Sequence, residues 1–141
     1  MTVQGLPGAD PKSWSRGSLA FSPDSLILAS GSNDAVVRLW EATTGKQLRT
    51  VATADAPEAW AWSWLAFSPD GKRFLAYGWD RKQSKVIIWD AKTWKQVFER
   101  QSRAPQLRCF AFMPKGSELA VGMQDGGIEL WDTESLGTVQ E

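Results

Sequence analysis

Histidine is absent from this 141-residue chain. That removes the usual general base near neutral pH, the imidazole of a serine triad and the commonest metal ligand. Cys109 is the single cysteine, so neither an intrachain disulfide nor a cysteine-rich metal centre is predicted. Its alternation with Leu107 and Ala111 reads as a small buried hydrophobe. The recurring acids Asp34, Asp80 and Asp125 stand in turn-forming stretches, where a short carboxylate bonds back to its own backbone. The carboxylates mostly occupy turns and repeat-closing positions, which leaves little room for a paired-carboxylate hydrolase or a ligand-binding module of that kind. The glycine-rich tip Asp125-Gly126-Gly127 is followed by no helix that could cradle phosphate, and it reads as a hairpin turn. The expectation is a protein that is not an enzyme and uses no cofactor or metal.

Recognition chemistry remains. Nine tryptophans stand against one tyrosine. Trp60, Trp62 and Trp64 alternate, so a regular strand would carry all three on one side. They then fill a buried interface or form an exposed aromatic patch. Trp79 precedes Asp80 and is followed by Arg81, Lys82 and Lys85. The residues at its place in the other copies, Asn33 and Gln124, are polar, which makes this a wet position. A tryptophan among cations there has the composition of a hot spot for an acidic or aromatic partner, unless it folds over its own hairpin. The candidate partner-binding residues are therefore Trp79, Arg81, Lys82, Lys85, Trp60 and Trp62. Sixteen basic and sixteen acidic residues cancel, which speaks against nucleic acid and for a protein partner.

These residues are held by a threefold repetition. Leu19–Glu41, Leu65–Asp90 and Phe110–Asp132 each run from an apolar–Phe–x–Pro start through a turn and two apolar runs to a closing tryptophan and an acid. Phe21, Phe67 and Phe112 are 46 and 45 residues apart, and Trp40, Trp89 and Trp131 are 49 and 42 apart. The turns Ser22-Pro23-Asp24-Ser25, Ser68-Pro69-Asp70-Gly71 and Met113-Pro114-Lys115-Gly116 join first to second strands. In the third strands, Val37/Leu39, Val86/Ile88 and Ile128/Leu130 share one face. Fourth strands are predicted over Gln47–Val51, Gln96–Arg100 and Gly137–Gln140. The second copy carries three extra residues after its Asp, placed at the hairpin tip over Arg81–Lys85. No stretch shows helical periodicity with a cap, so essentially no helix is expected.

With this period and ending, the chain resembles the WD-repeat (Trp-Asp repeat) family of β-propellers. The resemblance implies an all-β fold: a partial β-propeller of three four-stranded antiparallel blades, half a ring around a central channel. It makes Trp40, Trp89 and Trp131 the closing tryptophans, Asp34, Asp80 and Asp125 the turn aspartates, and puts Trp79 on the family's partner-binding face. Two features depart from the family. Its usual Gly-His pair would fall at Pro11-Lys12, Pro57-Glu58 and Ser102-Arg103, so the His–Asp network is missing. Three blades also fall short of the usual six to eight, which leaves two outer faces without neighbours. A head-to-tail homodimer, the remaining blades of a longer chain, or an open monomer would each answer that shortage.

Residues 1–13 read as a loose leader, followed by blades over approximately 14–54, 55–104 and 105–141. The amino-terminal residues lack the charge and apolar run of a signal peptide, and no apolar run nears the roughly 18 residues of a membrane span. A cytoplasmic protein–protein interaction scaffold is expected, with a purely structural, ring-completing module as the alternative.

Overall fold

The computed structural model describes residues 18–31, 36–51, 61–79, 83–102, 107–115, 118–134 and 137–140. Twelve strands and no helix occur among them. The first sheet contains β1 (Ser18–Phe21), β2 (Ile27–Gly31), β3 (Val37–Glu41) and β4 (Gln47–Thr50); the second contains β5 (Ala61–Phe67), β6 (Arg73–Trp79), β7 (Ser84–Asp90) and β8 (Gln96–Ser102). The third contains β9 (Leu107–Phe112), β10 (Glu118–Met123), β11 (Ile128–Asp132) and β12 (Gly137–Gln140). Each sheet is an antiparallel meander with its strands in chain order. The predicted leader and the segments around Asp34, Trp60 and Asp80 lie outside the described residues.

The turns follow from their side chains. Ser22 and Ser68 each donate a hydroxyl hydrogen bond of 2.6 Å to the aspartate two residues on, and each accepts from the backbone N–H of the strand that follows. The next position needs a left-handed backbone: Gly71 adopts it at φ 74°, whereas Ser25 is forced to φ 65° at the steric cost of a Cβ. The same exchange occurs between Gly45 (φ 77°) and Trp94 (φ 58°). Trp94 offsets its strain by packing its ring edge-on to Phe67 and Phe74, at 6.2 and 5.6 Å between centroids.

The sheets face one another in series, and the core lies between them. Ala29, Val37 and Leu39 of the first sheet meet Trp62, Leu65, Phe74, Ala76, Ile87 and Trp89 of the second. On the opposite face, Leu75, Tyr77, Val86 and Ile88 meet Leu107, Phe110, Leu119, Val121 and Trp131 of the third. The middle sheet is thus apolar on both sides, which is why β6 and β7 read as unbroken hydrophobic runs. Trp40, Trp89 and Trp131 are all buried. The indole N–H of Trp40 donates to Ser30 at 2.8 Å and that of Trp131 to Glu129 at 2.7 Å. Between the second and third sheets, Arg100 reaches Glu129 at 2.9 Å while lying 5.1 Å from the centre of the Trp131 ring, and Arg73 spans from Asp90 to the carbonyl of Thr133.

Two expectations are corrected here. The extra residues of the second copy do not all form a long tip: β6 and β7 pair from Arg73 opposite Asp90 as far as Trp79 opposite Ser84. Extending the ladder satisfies backbone groups that a loop would leave to water, and it puts Lys85 in a strand. Cys109 is exposed, not buried, because it pairs with Gly122 on the face of the third sheet that no other sheet covers.

Candidate functional site

The aromatic cluster is arranged by an irregularity. Along β5, Trp62 pairs with Gly78 and Trp64 with Tyr77, so Ser63 is an extra residue and the strand bulges. A bulge reverses the alternation beyond it. Trp62 therefore points to the first sheet, 1% exposed, where its Cβ would stand 2.9 Å from any Cβ added to Gly31. Trp64 points the other way, 40% exposed, with its ring 6.4 Å from that of Phe110. The prediction of a single aromatic side is thus overturned by one residue. β9 bulges at the equivalent place: Leu107 pairs with Met123 and Cys109 with Gly122, leaving Arg108 extra.

Both bulged residues lie at the seam between the second and third sheets. Ser63, Trp64, Tyr77, Trp79, Leu107 and Arg108 line a cleft of about 210 Å³ there. Tyr77 is buried there and donates a 2.9 Å hydrogen bond to the Leu107 carbonyl. Burial pushes the Tyr77 phenol up from its ordinary value, while a hydrogen bond with Ser84 and the nearby charge of Arg108 pull it down. Arg108 is exposed and is paired with no carboxylate among the described residues.

Of the sequence-predicted binding residues, Trp79 is half-buried at the end of β6 and packs against the core of this seam, so it forms a wall of the cleft. Lys85 lies within β7, with its ammonium 3.2 Å from Glu99. Trp62 is core. Trp60, Arg81 and Lys82 lie outside the described residues, as do Asp34 and Asp80. Asp125 is exposed and accepts from the Gly127 N–H at 2.8 Å, within its own turn. Ser63 and Arg108 were missed by sequence reasoning; a polar residue two positions before the sheet-facing Leu65 and Phe110 was the available signal. No group of acids, histidines or cysteines suited to a metal occurs among the described residues.

The outer faces form a second candidate surface. Leu65 is 5% exposed and Phe110 7%, each covered by the preceding sheet, yet Leu19 at the same place in the first sheet is 68% exposed. Phe21, two residues along the same strand, is also exposed, as is Leu26 ahead of β2, and Ile128 is exposed on the far side of the third sheet.

Comparison with known proteins matches these features. The family profile for the WD domain, G-beta repeat, matches residues 14–41, and that for the anaphase-promoting complex subunit 4 WD40 domain matches residues 65–141. WD repeat-containing protein 26 homolog of Drosophila melanogaster is 33% identical over 114 residues, spanning 79% of this chain and 18% of that protein. Small ribosomal subunit protein RACK1y of Oryza sativa subsp. japonica is 30% identical over 125 residues, spanning 84% of this chain and 35% of the relative. The chain thus spans from under a fifth to about a third of the length of these curated relatives. The RRP9 WD40 repeats superpose with a TM-score of 0.70 at 22% identity, over 86% of this chain and 36% of theirs, a likeness of fold. Three four-stranded sheets stacked face to face, each closed by a buried tryptophan, and a profile match over most of the second and third repeats place the chain in the WD40-repeat family.

Proposed function

We propose that the chain is a non-catalytic protein-interaction scaffold that works as an arc of a larger propeller, its outer faces docked on further blades. One observation carries the reading: a position buried at both internal seams, in Leu65 and Phe110, is bare in Leu19. A soluble protein seldom leaves two such neighbours on one strand face, Leu19 and Phe21, in water. The docked blades belong to the same ring, supplied by a longer chain or by a second copy arranged head to tail. Balanced charge supports a protein partner rather than nucleic acid. No helix among the described residues is long and apolar enough to cross a membrane, and the cytosol is the proposed compartment. Light scattering on the purified chain and on a Leu19→Glu/Phe21→Glu variant tests the reading. Self-closure gives a dimer that the variant reduces to a monomer; blades supplied from elsewhere give an associating chain that the variant disperses. A monodisperse wild-type monomer, unchanged by the substitutions, overturns it.

A further inference from the structure

We propose that the cleft between the second and third sheets is an anchor pocket for one apolar side chain in an acidic stretch of a partner polypeptide. The inference rests on the protein-interaction reading above and names the chemistry of one contact. The walls are the rings of Trp64, Trp79 and Tyr77 together with Leu107; aromatic rings bury much area at little entropic cost. The volume is below the roughly 300 Å³ at which pockets for drug-sized ligands begin, and it suits a single Leu- or Phe-sized group. The bulge at Ser63 turns Trp64 toward the cleft and the bulge at Arg108 adds that residue to its lining; bulges commonly re-aim a side chain at a working surface. At the other seam the corresponding level holds Trp62, packed over Gly31.

Charge decides between two occupants. Three aromatic rings alone would suit a quaternary or methylated ammonium. Arg108 at the rim opposes a cation, and it offers a guanidinium with no carboxylate partner among the described residues, which favours an acidic neighbour to the anchor.

The test uses the full chain, labelled with 15N, and four capped pentapeptides: Gly-Asp-Phe-Glu-Gly, the same with Ala for Phe, the same with both acids replaced by Lys, and Gly-Asp-trimethyllysine-Glu-Gly. The indole N–H resonances of Trp64 and Trp79, assigned from their Phe variants, report occupancy. The acid-flanked Phe peptide is expected to shift both and to saturate. The Lys-flanked peptide, and Arg108→Glu with the acidic peptide, are each expected to bind about fivefold more weakly, the worth of one exposed ion pair; the Ala and trimethyllysine peptides are expected to leave the resonances unmoved. Trp79→Ala should weaken both Phe-containing peptides, read at the Trp64 indole, with far-UV circular dichroism confirming the fold. Binding insensitive to flank charge, preference for trimethyllysine or lysine, shifts confined to other residues, or no binding at all would each overturn the pocket. None of these outcomes alters the mass in solution, so the outer-face reading stands or falls separately.

Discussion

Trp62 and Trp64 differ by two positions, and alternation alone would give them one environment; the bulge at Ser63 gives them two. Replacing each by alanine therefore tests the bulge. Trp62 is 1% exposed and sealed between the first two sheets, so Trp62→Ala loses its full transfer energy and leaves a cavity, at about 3–5 kcal/mol. Trp64 is 40% exposed; scaling by the buried share and omitting the cavity term, because water refills an open cleft, gives about 1–2 kcal/mol. At about 3 °C per kcal/mol for a domain of this size, Trp62→Ala should melt about 9–15 °C below the wild type and Trp64→Ala about 3–6 °C below. Urea titration followed by far-UV circular dichroism measures both without relying on the fluorescence of the remaining tryptophans. Equal losses, or a larger loss for Trp64→Ala, would refute the assignment of the two indoles to opposite seams.

Ser25→Gly relieves a left-handed backbone at φ 65° and is expected to stabilise by about 0.5–1 kcal/mol, while Gly71→Ala, which meets no atom within 4 Å at φ 74°, should cost a similar amount; thermal melts of the pair check both. Arg100→Met leaves the mostly buried Glu129 with the Trp131 indole N–H as its remaining hydrogen-bond donor among the described residues and should cost about 1–3 kcal/mol. Arg100→Met/Glu129→Met should recover part of that loss in the same urea titration. The Ser22 hydroxyl and the Leu26 N–H hold Asp24 below the ordinary carboxylate value, and the N–H groups of Thr93 and Lys92 do the same for Asp90. For Asp70, burial pushes upward but the Ser68 hydroxyl and Lys72 N–H outweigh it. Folded values below the unfolded ones mean stability that is present above about pH 4 and lost as pH falls through the folded values. Asp70→Asn should accordingly lower the urea midpoint at neutral pH and flatten its decline in acid.

Much of this protein is written in its local chemistry. The Ser-Pro-Asp turns, the closing tryptophans and the apolar face shared by Val86 and Ile88 come from short-range spacing, because hydrogen-bonded turns and strand alternation are set within a few residues. Those signals predict three successive sets of four strands, and the resemblance to WD-repeat propellers implies their stacking. Three repeats against the family's usual six to eight further imply two outer faces without neighbours. What these signals leave open is decided by contacts far apart in the chain. Whether Trp64 is core or surface depends on Ser63 standing outside the ladder, a choice made by the register between β5 and β6 and by Gly31 leaving room for Trp62. Arg108 becomes a rim residue only when a second bulge in β9 is brought opposite the first. Side-chain alternation belongs to the strand, but its phase belongs to the partner strand and the neighbouring sheet, so the sheets were legible in the residues and the cleft between them was not.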